Sequence, residues 1–331
     1  MRQPMTVENA VAAARAWRGA GLADEIEIGA LEPLLWRQGE LTPPDLVRAL
    51  KRETRVVTMT TNASRLAEFA DGLAAAELDL LRISWHTTDP ELFSEISGRG
   101  VYSEFYDGLT AAAASGLKLS FNRVLFKGRT ADLDEQLAFI RRYDSRLKLY
   151  DLMWTPEIAD VYEDSYQDWR PVVRQHVVPV SERTEIVTTS GRKRIRFWLR
   201  GGGCVEVKVD SAHKTKAPCT TCSFRDVCIE EFGDYVRVEP ELQGYFCYLR
   251  RDISFDLKAC VNRGDSGARL REVLDQAVPG RGVEIARYAP LRLIVVPYCN
   301  FNCFLPGTNI SWCHKTTGEF SYPGRPAKRI A

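Results

Sequence analysis

The stretch Leu291-Arg-Leu-Ile-Val-Val-Pro-Tyr-Cys-Asn-Phe-Asn-Cys303 joins an apolar run directly to two cysteines. Its first seven residues are typical of a β-strand that is covered on both faces, as the strands of parallel sheets are. Active sites of parallel α/β folds form where the strands end, at their carboxyl termini. Cys299 and Cys303 therefore stand where a parallel α/β protein places its chemistry.

Strand and helix patterns alternate through the first half of the chain. Apolar runs predict five further strands, at residues 25–29, 55–60, 80–85, 117–126 and 147–152. Apolar positions three and four residues apart predict the helices between them, one of which starts with Thr42 as its N-cap. Strands that alternate with helices of this length indicate parallel βα units. We therefore expect an α/β fold.

Composition excludes several classes of partner. The 331 residues carry 45 basic and 44 acidic side chains, a formal net charge of +1, which gives no reason to expect nucleic acid as a partner. No apolar run approaches the ~20 residues of a membrane span, and residues 1–7 lack the apolar core of a signal peptide. We expect a cytoplasmic protein with no membrane partner.

The middle of the chain has a different pattern. Residues 184–209 predict a hairpin of Thr184–Leu199 and Cys204–Val209, turned at the glycines 201–203. A loop-rich stretch with cysteines follows, and then a strand–turn–strand around Val236 and Phe246. We predict a smaller cysteine-rich α+β domain at residues 156–284, and a larger domain formed by residues 1–155 and 285–331.

Three cysteines near the C-terminal end form the first candidate metal site. Cys299, Cys303 and Cys313 have the spacing C-x3-C-x9-C. Three thiolates on a 4Fe-4S cluster leave one iron open for a further ligand. The residue types alone also fit a structural zinc with His314 as the fourth ligand, or reduced surface thiols.

A second group of cysteines lies in the predicted smaller domain. Cys219, Cys222 and Cys228 have the spacing C-x2-C-x5-C, and Cys247 follows eighteen residues after Cys228. Four thiolates at this spacing fit a 4Fe-4S cluster or a structural zinc ion equally well. The remaining cysteines, at positions 204 and 260, are isolated, and we interpret them as ordinary thiols.

The stretch 291–303 resembles the cluster-binding opening of radical S-adenosylmethionine (SAM) enzymes. That opening usually continues as Cys-x-x-x-Cys-x-aromatic-Cys. Removal of residues 305–311 would give Cys-Asn-Phe-Asn-Cys-Phe-Trp-Cys, which fits the pattern. We expect these seven extra residues to bulge out as a loop, because loops tolerate insertions.

Other stretches resemble further parts of the same superfamily. Gly29-Ala-Leu-Glu-Pro33 is similar to its Gly-Gly-Glu-Pro motif, Thr60-Thr-Asn62 to its Thr-Thr-Asn, and Leu81-Arg-Ile-Ser84 to its next strand. His86 stands where the superfamily commonly has Asp. The resemblance implies that six residues contact SAM, namely Glu32, Pro33, Thr60, Asn62, Ser84 and Asn122. Glu32 would accept hydrogen bonds from the methionine amino group.

Residues 89–100 are close to a stretch of the molybdopterin-precursor cyclase branch of the superfamily. That branch carries an auxiliary cluster in a small domain. The resemblance therefore favours a second 4Fe-4S cluster at the 219–247 group, with zinc as the alternative. It also places three arginines, Arg237, Arg250 and Arg251, as candidate substrate contacts beside that cluster.

The order of these motifs differs from that of the superfamily, in which the cluster motif comes first. The resemblance thus implies a circularly permuted, partial (β/α)6 TIM-like barrel. We expect strand 291–297 to lie between strands 25–29 and 147–152. Permutation is tolerated where the termini are close and on the surface.

The implied function is reductive cleavage of SAM and hydrogen abstraction from a small-molecule substrate, such as a nucleotide or nucleoside that is cyclised or rearranged. The implied partner is an electron donor such as flavodoxin or ferredoxin. The alternatives are a peptide-modifying radical SAM enzyme, a non-catalytic cluster-binding or metal-binding barrel, and an electron-transfer oxidoreductase. The basic run 192–196 is interpreted as a solvated face, with phosphate binding as the alternative.

Overall fold

The computed structural model describes residues 4–22, 24–29, 32–97, 101–155, 158–189, 192–208, 217–226, 228, 235–247, 249–261, 264–277, 292–295, 304–305 and 310–311. In these ranges the chain is a mixed α/β protein built on one large sheet.

Twelve strands of the described residues join in this sheet. They are β1 Glu25–Ile28, β2 Val56–Thr61, β3 Leu80–Ser84, β4 Leu119–Val124, β5 Arg146–Tyr150, β6 Ser181–Thr189, β7 Arg192–Leu199, β8 Cys204–Lys208, β9 Tyr235–Val238, β10 Gln243–Tyr245, β11 Ser254–Asp256 and β12 Arg292–Val295. Their order across the sheet is β11-β10-β9-β12-β1-β2-β3-β4-β5-β8-β7-β6. A separate antiparallel pair consists of β13 Phe304–Leu305 and β14 Ile310–Ser311.

The central part of the sheet, from β9 to β8, is parallel throughout. Antiparallel strands continue it at both ends, β10 and β11 beyond β9, and β7 and β6 beyond β8. All six strands that the sequence predicts for the larger domain are present. The α/β class is therefore confirmed. The strands of the predicted smaller domain extend the same sheet at both ends, and the domain boundary itself stays a prediction.

The helices of the described residues connect and cover these strands. They are α1 Val7–Gly19, α2 Pro43–Lys51, α3 Leu66–Ala75, α4 Pro90–Ser97, α5 Tyr102–Ala114, α6 Leu133–Arg142, α7 Ala159–Ser165, α8 Trp169–Val172, α9 Ala217–Thr220 and α10 Ser266–Ala277. Thr42 caps α2 as predicted, in a capping box with Asp45. Short 3-10 helices occupy Pro33–Leu35 and Val178–Val180, and a π-helical turn occupies Val173–Val177. Within the described ranges, no helix combines the length and apolar character that crossing a membrane requires.

Two expectations about neighbouring strands need correction. β12 pairs with β1 as predicted, but its other neighbour is β9 and not β5. The edge of β5 is taken by β8, which pairs with it in parallel. The predicted strand Thr184–Leu199 is wrong, because β6 and β7 within it pair antiparallel as a hairpin. The alternating pattern runs through both strands and conceals the turn between them.

The predicted turn at the three glycines is confirmed. Gly201, Gly202 and Gly203 have φ values of 88°, 115° and 72°, and they connect β7 to β8. Glycine adopts this region without steric penalty. A Cβ atom on Gly203 would lie 2.6 Å from the carbonyl oxygen of Ile140, so the turn also packs closely against the last turn of α6.

The two faces of the parallel strands differ in polarity. Side chains such as Ile26, Leu81 and Leu147 are fully buried in the core cluster that the helices complete. Successive side chains of a strand point to opposite faces, so the residues between them share the other face. We call this the inner face. It carries Glu25, Glu27, Thr58, Thr60, Arg82, Ser84, Ser120, Asn122, Arg146, Lys148 and Glu206.

Candidate functional site

The carboxyl ends of the parallel strands meet at one edge of the sheet. Ile28 is the register partner of Val295, and the backbone N–H of Gly29 donates to the carbonyl of Val295 at 3.1 Å. Cys299 follows Val295 by four residues in the sequence. The three predicted cluster ligands Cys299, Cys303 and Cys313 lie outside the described residues, so their ligation stays a prediction.

Glu32 follows β1 at this edge and is buried. Its carboxylate accepts three hydrogen bonds: Oε1 from the backbone N–H of Leu34 at 3.0 Å and the Thr61 hydroxyl at 2.6 Å, and Oε2 from the backbone N–H of Asn62 at 2.6 Å. Burial raises the pKa of Glu32, and these bonds oppose the rise. A carboxylate offers about four acceptor positions. Glu32 thus links the turn at Pro33 to the end of β2, and its carboxylate can accept one more hydrogen bond.

The two threonines at the end of β2 point to opposite faces. The hydroxyl of Thr60 donates to Glu27 Oε1 at 2.7 Å on the inner face, whereas Thr61 is the one that bonds Glu32. The side-chain oxygen of Asn62 accepts a hydrogen bond from the backbone two residues later. The Thr-Thr-Asn motif does not identify Thr61 as the partner of Glu32, because a motif does not show which of two adjacent strand residues faces a given loop.

Ser84 and Asn122 are brought together by the sheet, where they are register partners on β3 and β4. Asn122 Oδ1 is buried and has no hydrogen-bond partner in the part of the chain that the structure describes. A buried acceptor without a donor carries a desolvation cost. The site therefore offers this oxygen to a donor from a ligand.

His86 follows β3 at the same edge. Its Nδ1 accepts a hydrogen bond from the backbone N–H of Val124 at 3.2 Å, which leaves the proton on Nε2. Burial, with a smaller contribution from Arg123, lowers the pKa of His86 to about 4. His86, which stands where the resemblance predicts Asp, is thus a neutral hydrogen-bond donor at neutral pH.

The inner face also holds a charged cluster that the sequence analysis missed as a unit. Lys148 lies beside Glu206 in the sheet register, and Glu206 pairs with Arg196 at 2.6 Å. Arg194 also contacts Glu206, at 3.5 Å. The interpretation of the basic run as a solvated face is wrong for Arg194 and Arg196, because both face this buried carboxylate. The available signal was Lys148 itself, a charge between two leucines of a strand.

The second group of cysteines is partly brought together. Burial raises the pKa of the Cys247 thiol, and interactions with Cys219 and Cys222 raise it further. The backbone N–H of Arg250 lies 3.4 Å from Cys247 Sγ. Cys228 ends the bent segment that contains these cysteines, and its N–H donates to the carbonyl four residues earlier at 2.8 Å. Three of the four predicted thiols therefore share one neighbourhood.

Within the described ranges, no three Cys, His, Asp or Glu side chains are close enough together to hold a metal ion. The choice between a cluster and zinc at this group consequently stays open. Cys204 and Cys260 are buried elsewhere, and burial raises the pKa of Cys204 to about 11. Such a thiol stays protonated at neutral pH, as expected for an ordinary buried cysteine.

Two of the three arginines predicted to contact substrate are occupied by carboxylates. Arg250 pairs with Asp252 at 2.6 Å, and Arg251 pairs with Glu239. Arg237 lies on β9. An anion at this position would have to compete with these carboxylates.

Comparison with known proteins finds related sequences. The sequence model of the Radical SAM superfamily matches residues 2–140. The GTP 3',8-cyclase of Sinorhizobium medicae is 25% identical over 241 residues, which cover 70% of this chain and 64% of the cyclase. The GTP 3',8-cyclase of Aeromonas hydrophila is 38% identical over 112 residues, which cover 33% of each protein. This chain therefore spans just under two thirds of the length of the first cyclase.

Among solved structures, SuiB of Streptococcus suis covers 84% of this chain and 61% of its own chain, at 15% identity and a TM-score of 0.46.

Proposed function

Because the chain belongs to the radical SAM superfamily of enzymes, we propose that it cleaves SAM reductively and removes a hydrogen atom from a small substrate. A 4Fe-4S cluster and SAM, when bound, supply the one-electron cleavage of the sulfonium and the 5'-deoxyadenosyl radical that takes the hydrogen atom. The observation that carries the proposal is the pairing of β12 with β1, which starts the Cys299 segment at the edge that holds Glu32, Asn62, Ser84 and Asn122.

The described residues fit SAM at this edge. The carboxylate of Glu32 keeps one acceptor position for the methionine ammonium group, and Asn122 Oδ1 is a buried acceptor that needs a donor. Ser84 adjoins Asn122 in the register, and a hydroxyl there suits the ribose. Pro33 contributes by starting the short 3-10 helix after Glu32. Thr60 contributes by donating a hydrogen bond to Glu27. Glu32 and Asn122 both offer hydrogen-bond acceptors, and SAM carries ammonium and hydroxyl donors.

We also propose that the barrel is circularly permuted, with its first strand and cluster loop supplied by residues 285–331. The parallel pairing of β12 with β1 supports this order. It puts the strand that precedes the cysteines next to the strand that precedes the Gly-Ala-Leu-Glu-Pro segment. The pair β13–β14 supports the participation of Cys313. Phe304 pairs with Ser311, which closes the inserted loop at its base. Cys303 and Cys313 are one and two residues outside that closed base.

The second cysteine group is proposed to hold an auxiliary 4Fe-4S cluster, with zinc as the alternative. The influence of Cys219 and Cys222 on the pKa of Cys247 supports a shared ligand, and Cys228 lies in the same segment. The proposed substrate is a nucleotide or nucleoside, since the relatives are named as GTP 3',8-cyclases. The electron donor is proposed to be a flavodoxin or a ferredoxin.

Anaerobic reconstitution with iron and sulfide tests the proposal. Addition of dithionite and SAM should yield 5'-deoxyadenosine, measured by chromatography and mass spectrometry. Cys303→Ala should abolish this product, and Cys204→Ala, which alters a buried thiol elsewhere, should retain it. No 5'-deoxyadenosine from the reconstituted wild type, or an undiminished yield from Cys303→Ala, would overturn the proposal. Incubation with GTP, other nucleotides and peptides then separates the substrate classes.

A further inference from the structure

Arg250 follows Cys247, the last cysteine of the second group, by three residues. Its backbone N–H lies 3.4 Å from Cys247 Sγ, which is within hydrogen-bond distance for a sulfur acceptor. The backbone N–H of Leu249 donates to the same thiol. The carbonyl of Arg250 accepts from the N–H of Ile253 at 3.3 Å, which closes a turn after it. The main chain around Arg250 therefore holds the sulfur of Cys247 in place.

The guanidinium group of Arg250 is fixed by a carboxylate and reaches a second cysteine. Its Nε and Nη2 donate to the two carboxylate oxygens of Asp252 at 2.7 and 2.6 Å, and such a bidentate pair sets the plane of the fork. Asp252 raises the pKa of Arg250, burial opposes the rise, and a hydrogen-bond interaction with the Cys222 thiol adds to it. One arginine thus contacts two of the four predicted sulfur ligands.

Asp252 does not cancel the charge that Arg250 presents to these sulfurs. The side chain of Asp252 is 61% exposed, whereas that of Arg250 is 29% exposed. Water screens an exposed charge more than a partly buried one, so the guanidinium keeps a positive field on the side of the cysteines.

The neighbouring arginine has different partners. Arg251 pairs with Glu239, and its guanidinium lies over the ring of Tyr245, 4.1 Å from the ring centroid. The two arginines carry the same charge and are adjacent in the sequence, but only the contacts of Arg250 given above include sulfur. Arg251 is therefore a matched comparison for Arg250.

Contacts of this kind have known effects on metal centres. Groups that hydrogen-bond to the ligands of a metal orient those ligands, and their loss typically lowers metal affinity about 10- to 100-fold. Hydrogen bonds to the sulfurs are also among the features that set the reduction potential of an iron–sulfur cluster. A cluster gains negative charge on reduction, so a guanidinium beside a ligand sulfur favours the reduced form.

We propose that Arg250 is a positioning residue for the metal centre of the second cysteine group, where it holds the sulfurs of Cys222 and Cys247 and raises the reduction potential of a cluster bound there. This inference rests on the proposed auxiliary centre and not on SAM cleavage. It assigns Arg250 to the centre itself instead of to the substrate.

Zinc affinity tests the positioning role. The parent chain for this test carries Cys299→Ala and Cys303→Ala, so that the first cysteine group is disabled, and zinc binding is measured by competition with a chelator. Arg250→Met in this chain should weaken zinc binding about 10- to 100-fold. Arg251→Met should bind zinc as the parent does. Arg250→Lys keeps the charge but loses the planar fork, and its affinity should lie between those of the parent and Arg250→Met.

The midpoint potential of the reconstituted auxiliary cluster gives a second readout, which a merely structural role would not move. It is measured in the same parent chain by a redox titration followed by electron paramagnetic resonance. Arg250→Met should favour the oxidised form about 10-fold, which lowers the potential by about 59 mV for a one-electron couple. Arg251→Met should shift it less. Zinc affinity remains measurable for a variant that loads no cluster.

The outcomes separate this proposal from the proposed function. A parent chain that binds neither zinc nor a cluster would overturn the proposal, as would Arg250→Met with the affinity and potential of the parent. Equal shifts in Arg250→Met and Arg251→Met would also overturn it, because they would show an effect of charge that does not depend on the sulfur contacts. Absence of 5'-deoxyadenosine from wild type, with both Arg250 effects present, would overturn only the proposed SAM cleavage.

Discussion

Replacement of Lys148 by methionine should make the ligand-free protein more stable. Methionine has nearly the same length and fills irregular core space, so the change removes the amine without opening a cavity. It also removes the repulsion that Arg146, Arg194 and Arg82 exert on a protonated Lys148. Core substitutions usually destabilise a protein, so an increase is a distinctive result.

The magnitude follows from the burial of the Lys148 amine beside three guanidinium groups. A buried polar group without a hydrogen bond costs about 1–3 kcal/mol. Lys148→Met should therefore raise the free energy of unfolding by about 1–3 kcal/mol. For domains of this size, 1 kcal/mol corresponds to about 2–4 °C in Tm. The Tm should rise by several degrees.

The pH dependence has a defined sign. The pKa of Lys148 is lower in the folded chain than its ordinary value of 10.5, so the folded state binds fewer protons than the unfolded state. The stability of wild type therefore rises with pH up to about 10.5, and the advantage of Lys148→Met shrinks over the same interval. The facing charged groups are Arg82, Arg146, Arg194 and Glu206.

Calorimetry and urea unfolding of the ligand-free protein, at pH 7 and pH 9.5, measure both quantities. Lys118→Met changes an exposed lysine and should shift the free energy by less than about 0.5 kcal/mol. A Lys148→Met protein that is less stable than wild type at both pH values would refute the reasoning, because it would show that the amine makes a stabilising contact. A gain that is the same at both pH values would refute the titration argument.

Three further outcomes are expected. Glu32→Ala leaves three donors unsatisfied and should destabilise the protein by about 3–5 kcal/mol in urea unfolding. Glu206→Gln removes the carboxylate from a buried group of cations and should cost about 3–5 kcal/mol. The Arg146 and Arg196 contacts of Glu206 outweigh its burial and lower its pKa, so this cost should fade only as the pH falls through the acidic range. Cys222→Ser should lower the bound iron or zinc measured by elemental analysis, whereas Cys204→Ser should not.

Local patterns in the sequence predicted the elements of the parallel sheet. Strands β1 to β5 and β12 are short apolar runs bounded by turn signals. Such runs can be recognised from residues that are neighbours in the sequence. One alternating pattern runs through both β6 and β7, so it predicts a single strand where the structure has a hairpin. A change of direction in such a run depends on two residues, and the period of the pattern does not show it.

The pairing of distant strands was harder to predict. The edge of β5 is taken by β8 rather than β12, a choice between two apolar strands far from β5 in the sequence. The charged cluster depends on this choice, because Lys148 and Glu206 become neighbours only through it. The contact of Glu32 with Thr61 and not with Thr60 was equally hard to predict, because the position of the loop after β1 relative to β2 decides which threonine faces Glu32.

The contrast between Arg82 and Lys148 shows which charges of the inner face serve the fold. Arg82 is 5% exposed, but its guanidinium donates to Thr58 at 2.8 Å and pairs with Glu27 at 3.1 Å, so its charge is balanced within the sheet. Lys148 is buried to nearly the same degree, and its register partner Glu206 is the carboxylate that opposes the fall in its pKa. Lys148, two strands away, shares Glu206 with Arg194 and Arg196. Of these two buried cations, Lys148 is therefore the one whose removal we expect to stabilise the fold.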